Sequence, residues 1–274
     1  MPAAEWTAAA AATEPLRNTD KENRQMSLAT LKEVLDDARQ KKYGVGNFDV
    51  FNLEMLRGVI EAAEETESPV ILAYAESFET LADIRHYGKL LRSYAEAASV
   101  PVVIHCDHAV TLEEIQRVLE NGFTSVMIDA SDKTFEENVR ITRKAVEMAR
   151  PFHASVESEI GHVAGLEALF ENDHNVFTDP ETARKFAEAT EVDALAVSIG
   201  NVHGVYRKEP DIQFELLERL EQDVYKRQHK HLISLRYRDR ALFKAHLSDA
   251  VHHGYFHCTF HNDTPPRSFK LIIE

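Results

Sequence analysis

Four short apolar runs in this chain end in residues that can hold a cation or move a proton. Pro101-Val102-Val103-Ile104 leads into His105-Cys106-Asp107-His108, Ser125-Val126-Met127-Ile128 into Asp129, the run through Val156 into Glu157 and Glu159, and Ala194 to Ser198 into Gly200-Asn201-Val202-His203-Gly204. If each run is a parallel strand, these groups gather at the carboxyl ends, the rim where α/β barrels carry their chemistry. Two imidazoles with several carboxylates on adjacent strand ends outline a divalent metal site. Neutral ring nitrogens backed by carboxylates suit zinc, with one position open for a substrate. An isolated His or Asp after a strand more often caps the next helix or satisfies loop amides, and His105 and His162 are read that way. Asp107, His108 and His203 are read as functional because all three fall on one rim. Asp129 and Glu159 stand between ligand and supporting roles.

The elements that must position these groups follow a rhythm of short apolar runs and longer amphipathic stretches from Tyr43 to about Glu221, which predicts repeated βα units and a parallel sheet. Six strands are expected near Tyr43 to Asn47, Pro69 to Tyr74, Pro101 to His105, Ser125 to Ile128, His153 to Glu157 and Ala194 to Ser198. Their helices are expected near Leu53 to Glu65, Leu81 to Ala98, Leu112 to Asn121, Thr134 to Ala149, Pro180 to Thr190 and Phe214 to Glu221. Five of the six strands are apolar enough for burial on both faces, as helix-covered parallel strands require. Upstream, Leu28, Leu31, Val34, Leu35 and Ala38 are spaced for a helix with Ser27 as its N-cap, so the natural start is expected at Met26.

At 274 residues with 44% hydrophobic content, the chain can bury one large core. No run approaches the roughly 20 apolar residues of a membrane span, and nothing at the N-terminus reads as an export signal, so a cytoplasmic protein is expected. Cys106 and Cys258 are the only cysteines, which suits free thiols in a reducing compartment. The net charge of −15 argues against nucleic acid or an anionic membrane as the main partner, so an anionic substrate would need a local pocket of metal, Lys or backbone amides. Residues 1–25 are Ala-rich and then polar and are expected to be disordered. Residues 229–274 hold seven of the 14 histidines and a local charge of +3 against −18 for the rest, a shift that marks 223–274 as an atypical tail of uncertain origin after a unit spanning 26–222. A loose strand, helix, strand pattern survives in the tail at His231 to Tyr237, Leu242 to Val251 and Tyr255 to His261. The hexapeptide Asp223-Val224-Tyr225-Lys226-Arg227-Gln228 resembles the translation of a transposon adapter used in sequencing libraries, which implies a chimeric origin for the tail.

Three motifs in order carry a family resemblance. His105-Cys106-Asp107-His108-Ala109 is similar to the His-x-Asp-His of class II, zinc-dependent ketose-bisphosphate aldolases, Val156-Glu157-Ser158-Glu159-Ile160-Gly161 to their Val-Glu-x-Glu-Leu-Gly, and Ile199-Gly200-Asn201-Val202-His203-Gly204-Val205-Tyr206 to their Gly-x-x-His-Gly-x-Tyr. Val45-Gly46-Asn47-Phe48 and Ser68-Pro69-Val70-Ile71-Leu72 extend the likeness, so it runs from about Met26 to Leu220. Fructose-bisphosphate and tagatose-bisphosphate aldolases share all of it. The resemblance implies an α/β fold, a TIM (β/α)8 barrel with six βα units recognisable and the last two missing or scrambled. It implies that His108 and His203 bind zinc, that Asp129 and Glu159 contact a metal in an alternative position, and that Asp107 moves the proton of the sugar C4 hydroxyl. Gly204 matches backbone that holds a phosphate and a monovalent cation (Na+ or K+), Asn47 a residue near the substrate, and Glu167, on the loop from His162 to Thr178, a mobile acid serving the dihydroxyacetone-phosphate carbon. In such a reaction the divalent ion is a Lewis acid for the charge left when C3–C4 cleaves, and no Schiff-base lysine is required. A homodimer or homotetramer is implied as well.

The family takes a third zinc histidine from a His-Gly-Gly-Ser-Gly segment and phosphate contacts from an Asn-x-x-Thr segment, and neither occurs after Gln222. The tail's His252, His253 and His257 are read as unrelated to the site, and Ala75-Glu76-Ser77 stands where many relatives place a serine. Weak zinc binding and slow turnover are therefore expected of this chain. The site residues by themselves also permit a metal-dependent barrel hydrolase, and the missing glycines permit a degenerate barrel that only binds.

Overall fold

The computed structural model describes residues 27–161, 177–201, 212–225, 232–234 and 270–273. Six parallel strands form its centre: β2 (Val45–Asp49), β3 (Val70–Ala75), β4 (Val102–Ala109), β5 (Ser125–Ile128), β6 (Ser155–Ile160) and β7 (Ala194–Val197). Each pairs in parallel with the next, for example Ile71↔Val103, Val126↔Val156 and Glu159↔Ala196. The expected helices cross between them as α2 (Leu53–Glu65), α3 (Ile84–Ala97), α4 (Leu112–Glu120), α5 (Phe135–Ala149), α6 (Pro180–Thr190) and α7 (Phe214–Leu220). The starts of α2 to α6 are set by side-chain caps on otherwise unsatisfied N–H groups: Asn52, Asp83, Thr111, Thr134 and Asp179 each accept from a first-turn amide, and Pro180 occupies the first turn of α6, where a missing N–H costs nothing. α3 begins later than its apolar spacing predicts, because a 3-10 turn at Glu76–Phe78 and the Asp83 cap use the intervening residues.

The upstream segment divides differently from its sequence reading. Ser27 is not the N-cap: its hydroxyl donates to the Glu96 carbonyl at 3.0 Å, and Leu28–Ala29 form a short strand, β1, paired with β4. The helix α1 (Leu31–Lys41) starts instead at Thr30, whose N–H donates to the Glu33 carboxylate at 2.8 Å while its hydroxyl accepts from the Glu33 N–H, a reciprocal capping box. The apolar face of α1, Leu31, Val34, Leu35 and Ala38, packs against Val45, Ile71, Val103 and Ala194 at the beginnings of four strands. It thereby closes the amino-terminal end of the sheet, opposite the candidate rim. Fully burying each such side chain contributes about 1.5–3 kcal/mol.

Two short strands flank the six. β8 (Leu232–Ser234) pairs in parallel with β7 and β9 (Lys270–Ile273) with β2, giving the order β8-β7-β6-β5-β4-β3-β2-β9. That is the strand order of a barrel opened at one seam, with no ladder joining β8 to β9 among the described residues. The tail strand expected at His231 to Tyr237 is thus present in part, whereas residues 242–251 and 255–261 lie outside the described residues, as do 1–25. After α7 the chain continues as a π-helical turn, Glu221–Tyr225, and Val224 in it is buried with Leu217, Leu220 and Phe186. No helix of the described residues is long and apolar enough to cross a membrane.

Candidate active site

The strand carrying His105-Cys106-Asp107-His108 runs four residues further than its apolar stretch predicts, to Ala109. Side chains alternate along a strand, so His105 and Asp107 face the interior while Cys106 packs outward in the core against the helices. An unbroken strand would send His108 outward too. Instead the ladder to β5 shifts register between Cys106 and Ala109, and His108 adopts a left-handed backbone, φ +51°. Such a bulge re-aims a side chain, and a non-glycine residue in that conformation costs about 1–3 kcal/mol unless its surroundings hold it there.

What holds it is Asp129. His108 Nδ1 donates to Asp129 Oδ2 at 2.9 Å, and Asp129 Oδ1 accepts from the Ser131 N–H at 2.9 Å. Burial by itself raises the Asp129 carboxyl, but the hydrogen bonds and charge of His108 and the Ser131 amide outweigh it and hold the group well below the usual carboxylate range. An ionised carboxylate only accepts, so Nδ1 carries a proton, and the lone pair that the ring would offer an ion on giving up its other proton is on Nε2, the arrangement that suits imidazole as a metal ligand.

Glu159 completes the group. The start of β6 is delayed by a 3-10 turn at Arg150–Phe152 and by His153, φ +54°, so the strand covers Ser155–Ile160 rather than His153 to Glu157 and includes Glu159. One ligand atom from each of His108, Asp129 and Glu159 lies within 4.8 Å of the other two. Two donors about 2.1 Å from a tetrahedral ion stand about 3.4 Å apart, so modest contraction would let the three enclose a divalent cation. One imidazole and two carboxylates match zinc's donor preferences, so these residues fit the metal that the resemblance implies.

Behind the rim lies a buried polar layer. His105 Nδ1 is 2.8 Å from Ser125 Oγ, and its Nε2 is 3.4 Å from Glu157 Oε2 and 3.8 Å from Asp107 Oδ1. His105 therefore contacts a strand serine and two carboxyl groups, not the loop amides or helix N-terminus expected for it. Nε2 thus lies between the carboxyl groups of Asp107 and Glu157. Asn47 shares the interior face of β2 with Val45 and Asp49 and is fully buried, and neither of its amide atoms has a hydrogen-bond partner among the described residues. Thr178 clamps the ends of β6 and β7: its hydroxyl donates to the Ile160 carbonyl at 2.6 Å and accepts from the Ser198 N–H at 2.8 Å. Gly200, at φ +104°, and Asn201, whose Oδ1 accepts from the Ile199 N–H at 2.9 Å, then turn the chain beyond β7.

The structure therefore brings together His108, Asp129 and Glu159, with Asp107 adjacent on β4 and Asn47 on β2. His203, Gly204, Glu167 and His162 lie outside the described residues. Glu157, named among the strand-end acids, lies in the buried layer behind the rim, and Ser125 and Thr178 support the site without having been singled out. Ser125 left a signal, a polar residue in an otherwise apolar strand.

Comparison with known proteins agrees with this arrangement. A family model described as fructose-bisphosphate aldolase class-II matches residues 29–235. The uncharacterized protein YdjI of Escherichia coli K12 is 42% identical over 201 residues, covering 72% of this chain and 71% of the relative. A fructose-bisphosphate aldolase of Giardia intestinalis is 42% identical over 194 residues, 70% of this chain and 60% of the relative. Among solved structures, the YdjI aldolase of E. coli K12 superposes with a TM-score of 0.68 at 38% identity, over 76% of this chain and 72% of that one. A Coccidioides immitis protein assigned as a fructose-1,6-bisphosphate aldolase superposes with a TM-score of 0.69 at 27% identity, over 92% and 82%. With its parallel barrel order, its three ordered motifs and these matches, the chain belongs to the class II fructose-bisphosphate aldolase family, whose members are carbon–carbon lyases.

Proposed function

We propose that this chain catalyses reversible aldol cleavage of a ketose bisphosphate, fructose-1,6-bisphosphate or its tagatose isomer, to dihydroxyacetone phosphate and glyceraldehyde 3-phosphate. The observation that carries the reading is the convergence of His108, Asp129 and Glu159 at the ends of three adjacent strands, one residue from Asp107. His108 and His203, with Asp129 and Glu159, would hold a divalent zinc ion, which when bound supplies a Lewis acid for negative charge on the substrate carbonyl oxygen. Asp107, buried on β4, takes the C4 hydroxyl proton as C3–C4 breaks and returns it in the condensation direction. Glu167 delivers a proton to the dihydroxyacetone-phosphate carbon. Asn47 offers a buried amide to a substrate hydroxyl, and the backbone at Gly204 holds a phosphate with a monovalent cation beside it. The working protein is a cytoplasmic homodimer or homotetramer.

Coupled assays on the purified chain test this. Fructose-1,6-bisphosphate and tagatose-1,6-bisphosphate are offered with and without chelator, and zinc is then restored. Chelator-sensitive cleavage that returns with zinc supports the reading. Phosphate or ester release in place of C–C cleavage, or no turnover at any zinc concentration, contradicts the reading.

A further inference from the structure

The face of α5 that meets the sheet is apolar at Ala145, Val146 and Ala149 but polar one and two turns earlier, at Asn138 and Thr142, both buried. A helix-to-sheet seam is ordinarily filled with aliphatic groups, and polar groups there cost stability unless they are hydrogen-bonded. These two are bonded in one line. Asn138 Nδ2 donates to the Glu159 carbonyl at 2.9 Å. Thr142 Oγ1 lies 3.1 Å from Asn138 Oδ1 and 3.0 Å from Ser158 Oγ. Ser158 Oγ lies 3.0 Å from the carbonyl of Ile128, the peptide that joins Ile128 to Asp129. Ser158 faces α5 because strand alternation turns Glu157 and Glu159 the other way. The two hydroxyl protons serve three contacts, so at any instant two of the three carry one.

We propose that Asn138 and Thr142 are positioning residues for the metal carboxylates. Through Ser158 they tie the peptide before Asp129 to the peptide of Glu159 and so fix the separation of the two acids from behind. This rests on the metal reading above. Metal sites tolerate errors of only about 0.2 Å in ligand distance, and partners that orient ligands typically matter about 10- to 100-fold in affinity. The aliphatic packing available at Ala145 and Val146 would hold α5 on the sheet equally well, but it would not fix the positions of two backbone carbonyls.

The test is titration of the full chain with Co2+, read by its d–d absorption, with folding checked by circular dichroism. Thr142→Val keeps the shape and removes only the hydroxyl. Ser158→Ala cuts the Ile128 end alone and serves if the first variant folds poorly. Thr190→Val is the control: Thr190 is equally buried and donates to the Phe186 carbonyl at 2.8 Å, away from the site. The expected result is cobalt binding weakened about 10- to 100-fold with an altered d–d band in Thr142→Val and Ser158→Ala, wild-type binding in Thr190→Val, and recovery in Thr142→Ser. Folded variants that bind cobalt with wild-type affinity and spectrum overturn the proposal. A wild-type chain that binds no cobalt removes the metal assignment and this proposal together, a result distinct from equal binding by all.

Discussion

Replacing Asp129 by alanine removes the acceptor 2.9 Å from His108 Nδ1 and one of the three ligand atoms gathered within 4.8 Å. A hydrogen bond to a charged partner contributes about 1.5–3 kcal/mol. An oriented imidazole typically loses about 10- to 100-fold in metal affinity without its carboxylate, which is about 1.4–2.7 kcal/mol. The two estimates coincide, so orientation alone predicts that Asp129→Ala binds zinc about 10- to 100-fold more weakly than the wild type. Asparagine keeps an oxygen able to accept from Nδ1–H but not the charge. Asp129→Asn is therefore expected to lose about tenfold, between wild type and Asp129→Ala. A loss beyond 100-fold for both would show that Asp129 contributes chiefly as a ligand rather than by orienting His108. Folding is also affected, because His108 keeps a left-handed backbone costing about 1–3 kcal/mol without the contact that offsets it. Isothermal titration with zinc at neutral pH, on chelator-treated protein, measures the affinities. Binding by Asp129→Ala within twofold of wild type would refute the reasoning.

Three further outcomes are expected of the same structure. Asp107→Asn is expected to lower cleavage about 10²- to 10⁴-fold while leaving cobalt affinity within a few fold, and comparable losses in both would make Asp107 a ligand rather than a proton carrier. Ile104, fully buried on β4, is expected to cost about 2–5 kcal/mol when cut to alanine, measured by urea denaturation. Burial raises the Glu79 carboxyl, but hydrogen bonds from Tyr74, Arg117 and the Ile84 amide outweigh it and hold it below its ordinary value. Its contribution is therefore present above about pH 4.3 and fades only as pH falls through the lower folded value, so the gap in thermal midpoint between wild type and Glu79→Gln narrows on acidification.

Much of this architecture was legible because helix-covered parallel strands read as apolar runs, and six such runs were where the strands are. The ends were misjudged where polar residues belong inside a strand. β4 reaches Ala109 because Asp107 enters a buried polar layer and His108 a bulge, while Cys106 and Ala109 stay in the apolar core, and β6 starts late because His153 adopts a left-handed turn. The Thr30 capping box is a readable pattern that the more prominent Ser27 obscured, since no spacing argument reveals that Ser27 and Leu28 belong to β1. Of the site, the identities of His108, Asp129 and Glu159 were visible from their places after apolar runs. Their gathering at one rim was expected too; the bulge that turns His108 toward the other two was not, because no spacing pattern signals it. Asn138 and Thr142 were hidden for a different reason: polar residues on an amphipathic helix read as its solvent face, and only packing shows them turned toward the sheet.

The central claim is that His108, Asp129 and Glu159 share one divalent cation beside Asp107. Anomalous diffraction at the zinc edge, from crystals of the full chain grown with zinc, tests it most directly. The account predicts one peak within about 2.0–2.2 Å of a His108 ring nitrogen and of a carboxylate oxygen from Asp129 or Glu159. A fully loaded crystal with its zinc elsewhere, and with the His108–Asp129 hydrogen bond unchanged, would contradict it.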